Sequence, residues 1–363
     1  MRYTIVALLT LFITPLGAQT RDPLPVPDIP GYRTLKCDFH MHTVFSDGEV
    51  WPTTRVEEAW RDGLDAIAIT DHSGYNPHEE DVRADLRRPH AIARGLGERL
   101  GLIVIPGVEV MEGNIHCNAL FVTEPNAFNG LGLLEALRKA RAQDAFVFWN
   151  HPGWKQTPEW FPLIASAHDE HLLQGMELVN GLTFYPEAYP WIAERKLTII
   201  SNSDIHAPVS AEYRARTRPI TLVFARAADA AGVREALFAR RTAAWMGGDV
   251  WGSEDNLRSL VQNSIQPENK SLKFASGVRG ATLQIRNRSA IPYRLRVLHA
   301  AEWLEVAAGE VPAESTAAFS LGLLPEAPAG THNVELQFEI TNLHLAPGRN
   351  LTWQAPVRVE ITK

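Results

Sequence analysis

From Leu35 onward the chain alternates short apolar runs with longer stretches whose apolar positions recur at helical spacing. The runs at 35–41, 66–70, 103–106, 118–122, 145–149, 175–179, 198–201 and 220–224 read as strands. The stretches at 52–62, 87–100, 130–143, 158–173, 187–194 and 228–241 read as helices. Strands alternating with helices predict parallel βα units. Seven or eight units between residues 35 and 252 predict an α/β fold, a distorted (β/α)7–8 barrel of the TIM type. After Gly252 the pattern changes. Residues 253–280 read as a helix and linker. From 281 to 363 single-residue alternation takes over, as in Thr282-Leu283-Gln284-Ile285-Arg286 and Val357-Arg358-Val359-Glu360-Ile361. Pro and Gly punctuate it, which predicts a small all-β sandwich.

Residues 1–18 read as a secretory signal. Arg2 gives the positive start, Ile5 to Ile13 the apolar stretch, and Leu16-Gly17-Ala18 a cleavage point before Gln19. The competing reading, a buried N-terminal helix, fits poorly with the Pro/Asp-rich run that follows in a linker spanning 19–34. The expected location is therefore periplasmic or secreted. No later segment is long and apolar enough to span a membrane. A chain of 363 residues, 45% hydrophobic, can bury one large core or two ordinary ones. Its net charge of -7, without a basic block, disfavours a nucleic-acid surface. Export would permit a disulfide between Cys37 and Cys117. Cys37 sits on a candidate strand and Cys117 at the edge of one, however, and two buried free thiols are the preferred reading.

Six of the thirteen histidines fall in five short segments at or just after candidate strands. These are Cys37-Asp38-Phe39-His40-Met41-His42 with Asp47, Ile69-Thr70-Asp71-His72, Pro106-Gly107-Val108-Glu109 with His116, Asn150-His151-Pro152, and Ser203-Asp204-Ile205-His206. Imidazole and carboxylate together suit divalent first-row metals. Residues i and i+2 on a strand face one way, so His40/His42 and Asp204/His206 can each present two ligands to one side. Nine candidate ligands are enough for two or three ions. Asp71 would face away from His72 and reads as a supporting or turn-forming residue. His78, His90, His168, His171, His299, His332 and His344 read as surface or packing residues.

His40-Met41-His42, followed by Thr43, Asp47-Gly48 and Thr70-Asp71-His72, resembles the polymerase and histidinol phosphatase (PHP) family of metal-dependent phosphoesterases. The resemblance runs from about Leu35 to Ala244. It implies a PHP-type barrel and three ligand sets: His40/His42/Glu109/Asp204, Glu109/His116/His151 and Asp47/His72/His206. It also implies two to three divalent ions, with Mn, Zn and Fe all reasonable, and candidate catalytic residues His40, His42, Glu109 and Asp204.

Clustered divalent ions generate hydroxide near neutral pH and offset charge on a phosphoryl group. The expected activity is hydrolysis of a small phosphomonoester or phosphodiester by metal-bound hydroxide at a di- or trinuclear site. Lys155 is the first candidate for a phosphate clamp, ahead of Arg87, Arg88, Arg214 and Arg218; each also reads as an ordinary surface charge. The Asn180-Gly181 turn is expected at the barrel mouth. Tyr75, Trp154, Tyr185 and Tyr189 could line a pocket there or simply belong to the core. Two alternatives stand beside the phosphoesterase. One is an amidohydrolase-like enzyme for a non-phosphate substrate, which a carbamylated strand-end lysine would favour; no lysine in the ligand segments suggests one. The other is a non-catalytic binding protein with a retained cluster, or with glycan or protein contact through the β domain.

Overall fold

The computed structural model describes residues 20–213 and 217–362. The expected signal sequence and Arg214 lie outside the described residues. The barrel strands are β1 (Arg33–Asp38), β2 (Ala66–Ile69), β3 (Ile103–Glu112), β4 (Ile115–Leu120), β5 (Phe146–Trp149), β6 (Gly175–Asn180), the two-residue β7 (Thr183–Phe184), β8 (Thr198–Asn202) and β9 (Ile220–Ala225). Around them lie α1 (Pro52–Arg61), α2 (Arg88–Leu100), α3 (Leu133–Arg141), α4 (Pro162–Asp169), α5 (Ala188–Glu194), the short α6 (Val209–Glu212) and α7 (Ala230–Phe238).

Strands β1, β2 and β3 pair in parallel, as do β5, β6 and β8. The expectation of parallel units throughout fails at two places. β4 runs antiparallel to β3 and β5, and β9 runs antiparallel to β1. Only Gly113-Asn114 separate β3 from β4, enough for a hairpin and far too few for a parallel crossover. Gly113, at φ +61°, makes that turn. Between β8 and β9 the barrel closes through side chains. Ser201 N donates to Thr221 Oγ1 at 2.9 Å, and the same hydroxyl donates to Ser201 O at 2.8 Å. Alternate strand residues such as Leu35, Cys37, Phe39, Ala66, Ala68, Phe146 and Phe148 form one packed cluster. Cys37 and Cys117 are both free and buried.

A hairpin of β10 (Thr242–Met246) and β11 (Asp249–Gly252) leads into α8 (Glu254–Ser264), whose first turn is capped by the Ser253 hydroxyl. The stretch expected as helix and linker also holds two short strands, β12 (Ile265–Pro267) and β13 (Ser271–Phe274). They join β14 (Gly280–Asn287), β15 (Tyr293–His299), β16 (Leu304–Val306), β17 (Gly309–Val311), β18 (Thr316–Leu323), β19 (Gly330–Ala346) and β20 (Arg349–Ile361). One sheet is β12–β14–β18–β16; β13, β15, β17, β19 and β20 belong to the other. Every second residue of β20, from Leu351 to Ile361, is buried between them.

The two halves are continuous. β11 pairs in parallel with β19, Trp251 opposite His344. The Trp251 ring stacks on Phe184 at 5.0 Å and on His344 at 5.2 Å. Tyr189, a candidate pocket residue, instead donates its hydroxyl to His344 O at 2.8 Å. His344 itself sits 2.9 Å from Asp249 Oδ1 and joins the halves. One apolar cluster runs from Leu24, Val26 and Ile29 through Leu222 and Trp245 to Leu336 and Trp353. Replacing Trp251 by Ala is therefore expected to cost about 3–5 kcal/mol. Thermal denaturation followed by near-UV and far-UV signals should show barrel and β domain losing stability together; a shift confined to one transition would contradict a shared core.

Candidate metal centre

The ligand segments meet at one end of the barrel because neighbouring strand ends carry them there. His72 and Glu109 face each other in a parallel bridge just beyond β2 and within β3. Met41 and Ile205 do the same beyond β1 and β8, and Asp204 N donates to His40 O at 2.8 Å. His116 reaches the same end because β4 turns back on β3, setting it opposite Met111. Asp204 (φ +52°) and His151 (φ +26°) adopt left-handed backbone that non-glycine residues seldom accept, a feature concentrated at functional sites. Asp47 approaches because Gly48 packs on the backbone of His42 and Thr43. A Cβ at 48 would come within 2.4 Å of His42 C.

All nine residues singled out from the sequence lie in this one cluster. Glu109, fully buried, stands at its centre. Its Oε2 is 3.1 Å from His40 Nε2, 3.2 Å from His42 Nε2 and 3.4 Å from His72 Nδ1. Its Oε1 is 3.0 Å from His116 Nδ1 and 3.6 Å from His151 Nε2. Asp204 Oδ1 lies 3.0 Å from His40 Nε2 and 3.1 Å from His42 Nε2. Asp47 contacts His72 at 3.5 Å and His206 at 3.4 Å. Donor atoms within 4.8 Å of one another form the groups His42/Asp47/His72/His206, His40/His151/Asp204, His40/His42/Glu109 and His72/Glu109/His116.

The electrostatics favour positive charge at this place. Burial opposes a charged His40, yet the carboxylates of Asp204, Glu109 and Glu177 hold its pKa well above the usual imidazole value. Against the same burial, Asp204 and Glu109 push His42 up to about 10. Burial likewise opposes charged Glu109 and Asp204, but the histidines hold both well below the usual carboxylate range. Among the described residues, Asp47 Oδ1, His72 Nδ1 and His151 Nδ1 are buried and find no partner in hydrogen-bond geometry, a costly state for polar atoms. Ligands about 2.0–2.2 Å from one ion lie roughly 3–3.5 Å apart, matching the spacing of these atoms. The residues present fit divalent metal.

Further residues brace the cluster: Glu177, missed in the sequence, and Asn180 and Asp71, which the sequence places at the barrel mouth and in a supporting role. Glu177 on β6 is fully buried; its Oε1 lies 3.0 Å from His40 Nδ1, and its Oε2 accepts from His151 N at 2.8 Å. Asn180 bridges Glu177 and Asp204 at 2.8 and 3.2 Å. Asn150 donates to Glu109 Oε1 at 2.7 Å. The signal for Glu177 was legible: Gly175-Met176-Glu177-Leu178 repeats the form of Gly107-Val108-Glu109-Val110. Asp71 accepts from Thr43 N, Thr43 Oγ1 and Ser46 Oγ, each at 2.7 Å, and so pins the loop that carries Asp47.

The candidate cations separate clearly. Lys155 is exposed, with its Nζ 3.9 Å above the Trp154 ring, and that ring lies 5.1 Å from His116 and 5.3 Å from His151. Arg218 is no phosphate clamp. It is buried, with guanidinium contacts of 2.8 Å to Asp38 and 3.1 Å to Asp62, because an apolar wall demands a paired charge. Arg87 is held by Asp85 at 2.9 Å, and Arg88 is exposed at the start of α2. Tyr75 is exposed with its ring 5.9 Å from His72, while Tyr185 is buried against Gly153.

A barrel with this donor cluster at one end is built to hold divalent metal, and comparison with known proteins gives its family. Residues 38–172 match the model of the PHP domain. A solved two-domain protein from Bacteroides vulgatus, containing a predicted PHP-like metal-dependent phosphoesterase, is 37% identical. It superposes at a TM-score of 0.86 over 94% of this chain and 100% of that one. An uncharacterised protein of Methanocaldococcus jannaschii is 37% identical over 76 residues, 21% of this chain; the match covers 34% of that protein's length. The chain belongs to the PHP family of metal-dependent phosphoesterases.

The raised His42 pKa has a consequence for the metal-free protein. Its folded state holds the His42 proton more tightly than the unfolded chain, whose imidazole titrates near 6.5. That stabilisation is complete below about 6.5 and fades as pH rises toward about 10. Chelator-treated protein should therefore melt at a lower temperature at pH 9 than at pH 6. Added Mn or Zn should restore stability most at pH 9. A melting temperature independent of pH in that window would contradict the charge balance described.

Proposed function

We propose that the protein hydrolyses a small phosphate ester at a di- or trinuclear metal site. The observation that carries this reading is Glu109, a buried carboxylate offering one oxygen to His116 and His151 and the other to His40, His42 and His72. A carboxylate set this way suits a bridge between two ions. Three ligand sets would hold metal: His40, His42 and Asp204 with Glu109; His116 and His151 with Glu109; and Asp47, His72 and His206. Bound there, divalent ions such as Mn, Zn or Fe supply a lowered pKa for coordinated water and neutralise charge developing on a phosphoryl group.

The chain's own residues do the rest. Glu177 fixes the ring of His40 by accepting a hydrogen bond from its Nδ1–H, leaving Nε2 directed at Glu109 and Asp204. Asn180 and Asn150 hold Asp204 and Glu109 in place. Lys155, poised on Trp154 at the rim, is suited to receive a phosphate oxygen. Tyr75 and Trp154 flank the histidines with aromatic faces that suit an organic leaving group. On the reading of residues 1–18, the substrate would be met outside the cytoplasm.

Elemental analysis of purified protein is expected to find two or three ions per chain, lost in His40→Ala or Asp204→Asn. Either variant should abolish turnover of phosphate esters while the circular-dichroism spectrum stays native. Lys155→Ala should raise KM by roughly 10–100-fold with little change in metal content, the size of a lost charge-assisted hydrogen bond. Absence of metal after Mn or Zn is supplied, or turnover retained without Asp204, would overturn the hydrolase reading.

A further inference from the structure

One fully buried cation near the metal centre belongs to neither a ligand set nor the candidate clamps. Arg55, on α1, is fully buried. Its guanidinium is spent almost wholly on backbone carbonyls. Nε donates to His42 O at 2.8 Å. Nη2 donates to His206 O at 2.5 Å and Ile205 O at 3.2 Å, and Nη1 to Ala207 O at 2.9 Å. The remaining contact, Nη1 to Glu58 Oε2 at 3.0 Å, balances the charge. Glu58 in turn accepts from Val209 N at 2.9 Å. One side chain thus ties the end of the segment carrying His40 and His42 to the segment carrying Asp204 and His206.

Main-chain bonds also align these two segments, with Asp204 N donating to His40 O at 2.8 Å and Glu49 N to His206 O at 2.9 Å. Beyond β1 and β8 they share an isolated bridge at Met41 and Ile205, with His42 N donating to Ile205 O at 3.0 Å. Carbonyls that turn toward Arg55 fix the backbone from which the His42 and His206 rings project toward Asp47. Those rings stack at 4.2 Å, and both belong to the group His42/Asp47/His72/His206. His116 and His151, on the far side of Glu109, have no contact with Arg55 among the described residues.

We propose that Arg55 is a positioning residue for one metal site, the set of Asp47, His72 and His206, by clamping the carbonyls of Ile205, His206 and Ala207 against that of His42. The planar fork of arginine is required; the point charge of lysine has no set of donors that reaches all four carbonyls. The inference rests on the metal reading above and goes beyond it by assigning unequal dependence to the ligand groups.

The test compares Arg55→Lys with His206→Ala and His116→Ala in the full chain. Stripped protein is titrated with Mn alone, and bound metal is measured by elemental analysis at each concentration. Arg55→Lys is expected to weaken one ion by roughly 10–100-fold, the usual effect of removing a supporting partner. Its binding curve should reproduce that of His206→Ala and differ from that of His116→Ala. A melting temperature lowered without any change in the Mn curve would show a merely structural role and overturn the proposal, as would a curve resembling His116→Ala. Should Arg55→Lys fail to fold, Glu58→Gln loosens the same guanidinium and is held to the same comparison, an unchanged Mn curve again overturning the proposal. If the unaltered protein binds no Mn, the metal reading itself fails, which is distinct from a variant that binds like the unaltered protein.

Discussion

Glu109 and Glu177 are ionisable carboxylates buried without any exposure at one end of an apolar barrel, and that fact governs the rest of the molecule. Removing such groups from water costs several kcal/mol each unless opposite charge and hydrogen bonds replace the lost solvation. Here the replacement is a shell of six imidazoles and several amides around Glu109, Glu177, Asp204 and Asp47. The imidazoles answer the carboxylates only when they carry protons or share metal. A site built this way is stable in either of two loaded forms and poor in the empty, deprotonated one. Metal held by this cluster would be coupled to folding through the same balance.

Holding so many polar side chains in one small space demands a rigid backbone beneath them. The strand ends supply it, but only with help. Asp204 and His151 take left-handed conformations that the surrounding hydrogen bonds must enforce. Asp38, buried and paired with Arg218, accepts from Ser203 N and Oγ next to Asp204. Asp71 fastens the loop before Asp47. Charged residues that look available for substrate in the sequence prove to be committed to this scaffold, Arg218 most plainly.

The β domain shares the same economy of burial. Its long strand β19 continues the barrel sheet through β11, and Trp251 lies between Phe184 and His344. Phe184 belongs to the short hairpin that follows Asn180, which itself touches Glu177 and Asp204. The domain is therefore packed against the back of the element that reaches the metal centre.

The sequence by itself determined the alternation of strands and helices, the change to period-two patterning near Gly252, and the ligand-bearing strand ends. These are local signals: periodicity, turn residues and the spacing of His40 with His42 or Asp204 with His206 are written within a few residues of one another. The family resemblance added the grouping of those ligands. What only the tertiary structure decided lies at longer range. The antiparallel course of β9, the closure of β8 on Thr221, the burial of Arg218 with Asp38, the carbonyl clamp of Arg55 and the fusion of β11 with β19 all depend on partners distant in the chain. A buried arginine and a surface arginine are the same letter, and only the packing around each decides which charge must be paired and which is left free for a substrate.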